Sequence, residues 1–342
     1  MAQEERRDGL PKLHEAFGDC FRIGAAVNPF TIESQRELLA HHFNSVTAEN
    51  EMKFGSLHPE EKRYTFERAD RIMDFATANG MGVRGHTLVW HHQTSDWVFE
   101  AKGGGAVDRD TLLERLKAHI DTVVTRYKGS IYAWDVVNEA ISDKDGEHLR
   151  PSRWLEIAGE DFIAKAFEFA HAADPEALLF YNDYNESAPA KREKIYALVK
   201  SLKEKGVPIH GVGLQAHWNL EEPALDRIRE AIERYASLDV KLHLTELDVS
   251  VFVRDDRRTG LKTPTAAMLE RQAERYGQLF RLLVEYRRHI DSVTFWGAAD
   301  DYTWLDDFPV AGRKNWPFVF DANHRPKQSY WKLLEAAKTG AR

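Results

Sequence analysis

Apolar residues recur along the chain with two different periods. Short runs rich in β-branched and aromatic residues alternate with longer stretches in which apolar positions return every three or four residues. The short runs predict strands over residues 22–28, 45–50, 82–90, 132–140, 178–184, 211–217, 241–249 and 292–300. The longer stretches predict amphipathic helices: across 110–127, Leu113, Leu116, Ile120, Val123, Val124 and Tyr127 keep the helical spacing. Eight strands, each followed by a helical segment, is the pattern of an α/β chain closed into a (β/α)8 TIM barrel. An open doubly wound sheet is the rival. It normally has fewer strands and often a glycine-rich phosphate turn, and none follows residues 22–28.

The predicted strands share a second asymmetry. Their first halves are mostly apolar, and their last residues are polar or aromatic: Asn28, Glu49 and Asn50, His86 through Trp90, Asn138 and Glu139, Asn182 and Asp183, Gln215 and His217, Glu246 and Asp248, Trp296. In a barrel all strand C-terminal ends meet at one face, where active sites are built. Residues more than a hundred positions apart therefore converge on one cleft.

Composition narrows the chemistry. The chain has 342 residues, which fits one large barrel or two ordinary domains, and length alone does not choose between them. One cysteine, Cys20, excludes an internal disulfide and a cysteine-rich zinc module. The net charge is −8 with the basic residues scattered, which argues against a nucleic-acid partner. No apolar run approaches the roughly 20 residues of a membrane span. The N-terminal stretch is charged where a secretory signal would be apolar, so a cytoplasmic location is expected. Nine tryptophans supply flat apolar faces of the kind that pack on pyranose rings, although some of them belong to the core.

Two carboxylates stand out against this background. Glu139 follows Trp-Asp-Val-Val-Asn on the fourth predicted strand, and Glu246 lies in His-Leu-Thr-Glu-Leu-Asp-Val on the seventh. Each sits among apolar residues, where an unpaired carboxylate is expensive to bury. Opposite one another at a barrel mouth, they form the pair that glycoside hydrolysis needs: an acid for the leaving oxygen and a carboxylate across the anomeric carbon. A rim salt bridge is the ordinary alternative for any single glutamate.

The flanking residues resemble a known family. WDVVNEA (134–140) and TELDV (245–249) resemble the acid/base and nucleophile signatures of glycoside hydrolase family 10, the endo-1,4-β-xylanases. GHTLVWH (85–91), TAENEMK (47–53), GVGLQAHW (211–218) and FWGAADDYTW (295–304) resemble further motifs of that family, in family order and across essentially the whole chain. The resemblance implies Glu139 as general acid/base and Glu246 as nucleophile, in a retaining double displacement through a covalent glycosyl-enzyme, and it implies no cofactor and no metal. It implies that Asn138 holds the sugar 2-hydroxyl and that Glu49, Asn50, Lys53, His86, Trp90 and Gln215 line the glycone subsites. Trp296 and Trp304 would close over the sugar beside the cut, Tyr184 and Asn185 would stand on the aglycone side, and His217 with Asp248 would orient the nucleophile. A cis peptide between His86 and Thr87 is implied as well. Xylan and xylo-oligosaccharides are the implied substrates, with 1–342 read as a single (β/α)8 catalytic domain without an accessory carbohydrate-binding module, and the short loops make the chain similar to intracellular members.

One position departs from the family pattern: Asp239 stands where a small residue is usual, before the nucleophile strand and far from the chemistry. Three other readings of the site remain open at this level. His86, His91, His92, His217 and Asp248 could suggest a metal centre, but no short His-x-His pair accompanies them. A sugar-binding barrel without catalysis would be expected to have lost Glu139, Glu246 or Asn138, and all three are present. Cellulose or mannan as substrate is opposed only by crowding, at Glu49, Lys53 and Trp304, of the space a hydroxymethyl group needs.

Overall fold

The computed structural model describes residues 9–340; residues 1–8, within the charged N-terminal stretch, lie outside the described residues. Nine strands form: β1 Arg22–Val27, β2 Ser45–Ala48, β3 Gly82–Trp90, β4 Ile131–Asn138, β5 Leu178–Asp183, β6 Gly211–Leu214, β7 His217–Asn219, β8 Lys241–Ser250 and β9 Ile290–Phe295. Every pairing between them is parallel. β1 pairs with both β2 and β9, and β6 pairs with β8, so the sheet closes on itself as a (β/α)8 barrel. Helices run between the strands and cover the outside of the ring.

The ninth strand corrects the sequence expectation of one strand over 211–217. Ala216 adopts a left-handed φ of 61°, which breaks the pleat after Leu214. The chain then resumes as β7, and His217 pairs with Asp248 of β8. Other strands also end sooner than expected. Asn28, Glu49, Glu139 and Trp296 lie just past the last ladder residue, and Glu139 itself turns left-handed with φ 58°. These polar positions thereby leave the ladder and enter the loops above the barrel.

The helix expected over 110–127 spans Arg109–Arg126 and is capped by Asp108, which accepts from the Thr111 amide at 2.8 Å. Its buried stripe runs through Leu112, Leu116, Ile120, Val123 and Val124; Leu113 is only partly buried, one position off the expected face. Each such fully buried aliphatic side chain contributes about 1.5–3 kcal/mol relative to exposure. Cys20 is half-buried at the margin of this core. No helix among the described residues is long and apolar enough to cross a membrane.

Inside the barrel, large side chains fit because small ones face them. A Cβ on Gly85 would stand 2.2 Å from the Trp134 ring, and one on Gly213 2.3 Å from the Asn182 amide oxygen. Below the mouth lies a buried ion pair between Arg84 and Asp135, both 0% exposed. Two buried charges repay their desolvation only with further partners. Here Arg84 also reaches His243 Nδ1 at 3.2 Å and packs over the Phe180 ring, while Asp135 accepts from His86 Nδ1 at 2.9 Å. The barrel floor is thus bonded directly to a residue of the cleft.

Candidate active site

The C-terminal ends of the strands open into a cleft of about 1050 Å³. Its wall includes Lys53, His86, Trp90, Asn138, Glu139, Tyr184, Asn185, Gln215, His217, Glu246, Asp248, Trp296 and Trp304, so nearly every residue singled out from the sequence meets there. Glu49 and Asn50 do not line this cavity. They back it: Asn50 Oδ1 accepts from Lys53 Nζ at 2.9 Å, and Glu49 is held by Asn28 Nδ2 at 2.9 Å and the Tyr302 hydroxyl at 3.0 Å. Both therefore stand in the loop after β2, directly behind Lys53.

Glu139 is fixed at both ends. Its amide donates to Asn182 O at 2.9 Å, and its carbonyl accepts from Arg150 Nε at 3.0 Å. Its carboxylate accepts from the Trp90 indole at 2.8 Å and from Gln215 Nε2 at 2.9 Å. Trp90 in turn carries the Lys53 ammonium 4.9 Å above its ring. Burial pushes the Lys53 pKa down, opposed chiefly by the charges of Glu246 and Glu49.

Glu246, 5% exposed, lies in a different field. His217 Nε2 is 3.1 Å from one carboxylate oxygen and Asn182 Nδ2 2.9 Å from the other. The second His217 nitrogen is 2.9 Å from Asp248 Oδ2, and Trp304 Nε1 donates to that same oxygen at 2.9 Å. Burial alone would raise the Glu246 pKa, but the His217 hydrogen bond and the neighbouring imidazoles outweigh it and hold it below the usual value. Burial works against a charged His217, but Asp248 and Glu246 raise its pKa to about 10. Glu246 is thus a carboxylate paired with an imidazolium.

The two carboxylates belong to one hydrogen-bonded array. Asn182, fully buried, stands 2.9 Å from both Asn138 Oδ1 and Glu246 Oε1, and Gln215 Nε2 stands 3.3 Å from Asn138 and 2.9 Å from Glu139. Either amide orientation of Asn138 keeps it against Asn182 and Gln215. His86 stands with its ring edge-on to Trp296 at 5.4 Å, and the His86–Thr87 peptide is cis, as expected.

On the other flank, the Tyr184 hydroxyl donates to Asp143 and accepts from Arg150 at 2.7 Å, and Asn185 Nδ2 donates to Asp143 at 3.2 Å. Behind them Lys191 bridges Asp143 at 3.0 Å and Asp183 at 3.1 Å. Burial raises the Asp183 pKa to about 7; Lys191 opposes this and the charge of Glu139 adds to it.

Several working residues were not assigned roles from the sequence. Asn182 was visible only as a polar strand end, Asp135 as a charge inside an apolar strand, and Tyr302, Arg150 and Lys191 carried no signal. His91 and His92 pack together at the rim, 4.1 Å apart, and no group of three or more potential ligands among the described residues is arranged for a metal ion. Asp239 takes a left-handed φ of 53°, which accounts for a small residue being usual there.

A closed parallel barrel with two carboxylates in one cleft, a half-buried one against neutral donors and a buried one against an imidazolium, defines a glycoside hydrolase. The chain belongs to glycosyl hydrolase family 10, whose domain it matches over residues 12–336. It is 60% identical over 325 residues to endo-1,4-beta-xylanase B of Paenibacillus barcinonensis, covering 95% of this chain and 98% of that one. It is 61% identical, with the same coverage, to an endo-1,4-beta-xylanase of Geobacillus stearothermophilus. Among solved structures, xylanase XynB of P. barcinonensis complexed with a conduramine derivative superposes with a TM-score of 0.94 at 60% identity, covering 95% of this chain and 98% of that one. The endo-1,4-beta-xylanase of Caldicellulosiruptor owensensis superposes at 0.93 with 49% identity, covering 95% and 99%.

Proposed function

We infer that the protein is a retaining endo-1,4-β-xylanase acting on xylan and xylo-oligosaccharides. The observation that carries the reading is the contrast between the two carboxylates. Glu246 is held ionised by His217, while Glu139 meets an indole N–H and side-chain amides, neutral donors that suit either protonation state. In the first step Glu139 gives its proton to the glycosidic oxygen, the C1–O bond breaks, and a Glu246 oxygen bonds C1. In the second, water attacks C1, Glu139 takes a proton from it, and the Glu246–C1 bond breaks.

The remaining cleft residues take supporting roles. Asn138 is placed to hold the sugar 2-hydroxyl, Lys53, His86, Trp90 and Gln215 to bind the glycone, and Trp296 with Trp304 to cover the reacting sugar. Tyr184 offers its ring to the aglycone side, since its hydroxyl is committed to Asp143 and Arg150. Crowding by Glu49, Lys53 and Trp304 would exclude a hydroxymethyl group; comparable kcat/KM on aryl cellobioside and aryl xylobioside would refute that source of specificity. Cytoplasmic residence remains an expectation from sequence, tested by cell fractionation.

The function is tested by following xylohexaose with proton NMR, using Glu246→Ala as control. Internal cleavage with the β-anomer appearing first supports the reading. No cleavage, or the α-anomer first, overturns it.

A further inference from the structure

The cleft carries positive charge that hydrolysis of a neutral sugar chain does not use. Arg254, Arg257 and Arg313 all contribute to its wall. Arg254 and Arg257 are exposed on the turn after β8, whereas Arg313 is 3% exposed. Arg313 donates to the carbonyl of Asp256 in that same turn, its guanidinium lies 4.0 Å from the Phe252 ring centroid, and its buried Nε has no hydrogen-bond partner. Among the described residues, none of the three arginines has a carboxylate within ion-pair distance. Within that turn Asp256 is paired with Arg258 at 2.6 Å, Asp255 is exposed and forms no ion pair with the three, and Arg257 Nη1 donates to the Arg254 carbonyl at 3.0 Å. Carboxylates do share the rim, on the loop after β7, but Glu221 is paired with Arg271 and Glu222 stands on that separate loop.

A guanidinium cannot shed its proton to relieve burial, so an unpaired buried arginine is costly unless an anion arrives from outside. The surroundings indicate what kind. Phe308, 56% exposed, stacks on Trp304 at 4.9 Å and extends the aromatic surface that leads away from Asp248 and the nucleophile. An aromatic face beside guanidinium groups suits a pyranose ring that bears a carboxylate. A free inorganic anion would use the arginines and leave the exposed aromatic without a role.

We propose that Arg254 and Arg257, with the Arg313 charge behind them, form an anion subsite for a uronic-acid branch on the xylan chain lying across Glu139 and Glu246. This rests on the xylanase reading and refines its substrate. Chains that carry an acidic branch within reach of the turn after β8 are then preferred over neutral ones.

The test compares kcat/KM on three chains: neutral xylohexaose, its uronate-branched counterpart, and the same branched chain with the uronate reduced to an alcohol. Wild type is set against Arg254→Ala/Arg257→Ala, whose exposed positions leave the fold intact. The double variant is expected to lose about tenfold or more on the uronate-branched chain, as charge-assisted bonds do when truncated. It should change less than about twofold on the other two, and the wild-type preference should shrink as salt is added. Equal wild-type rates on the branched and reduced chains would overturn the proposal. So would inorganic phosphate binding to wild type and not to the double variant without any branch preference, which would mark a free-anion site. Failure on all three chains would overturn the hydrolase reading, and this subsite with it.

Discussion

Replacing Asn182 with alanine removes three contacts at once. Its amide nitrogen bonds Glu246 and Asn138, each at 2.9 Å, and its oxygen accepts from Thr245 Oγ1 at 2.6 Å. A hydrogen bond to an ionised carboxylate is worth about 1.5–3 kcal/mol, a neutral one about 1, and an orphaned buried hydroxyl costs about 1–3. These do not add fully, because water can enter the space and the three contacts share one residue. A net destabilisation of about 2–4 kcal/mol follows, read as a fall in Tm of roughly 3–6 °C for a chain of this size. Catalysis should suffer separately. Glu246 loses one of its two side-chain partners and with it a fixed carboxylate orientation, which predicts a kcat loss on the order of 100-fold, comparable with losing one preorganised donor. Dinitrophenyl xylobioside isolates the effect, since that leaving group needs no proton from Glu139. Asn182→Asp keeps the shape but sets a second carboxylate against Glu246, so it should lose activity without losing volume. A variant within twofold of wild type in kcat and within about 1 °C in Tm would refute the assigned role.

Three further perturbations test other parts of the account. Trp90→Phe removes the indole donor to Glu139 while leaving a ring under Lys53; activity should drop about tenfold on poor leaving groups and much less on dinitrophenyl xylobioside, a difference that steady-state kinetics will read. His217 holds its proton to about pH 10 in the fold against roughly 6.5 when unfolded, so its stabilisation is complete below 6.5 and is lost as pH rises toward 10. Calorimetry should show wild-type Tm falling across that window and His217→Asn falling less steeply. Gly85→Ala drives a methyl into the Trp134 ring, whose nearest carbon would be 2.2 Å away, and should cost at least about 1–3 kcal/mol by overpacking; chemical denaturation measures it.

What was readable in the sequence depended on the range of the interaction. Alternating strands and helices, and polar residues at strand ends, are local patterns, and they sufficed for the barrel and for its catalytic face. Where the ladder stops is decided by backbone geometry that pattern does not reveal: Ala216 at φ 61° split one expected strand, and Glu139 at φ 58° ended another. In the helix Arg109–Arg126 the expected stripe is buried except at its first position, where Leu112 replaces Leu113 because both satisfy the period locally. Asn182 escaped assignment because its partners Asn138 and Glu246 lie 44 and 64 residues away along the chain. Arg84 and Asp135, 51 residues apart, read separately as charges on strands and only together as the floor of the site. Glu49 and Asn50 read from sequence as polar strand ends, but the bonds of Asn50 to Lys53 and of Glu49 to Asn28 and Tyr302 are visible only in three dimensions.

The central claim is that Glu246 becomes covalently bonded to the sugar. Incubation with a 2-deoxy-2-fluoro xylobioside bearing a dinitrophenyl leaving group should add one disaccharide mass to the intact protein and release one equivalent of phenol in a burst. Peptide mapping should then place the label on Glu246, and Glu246→Ala should show neither burst nor label. A label on the peptide carrying Glu139, or full turnover by Glu246→Ala, would contradict the account.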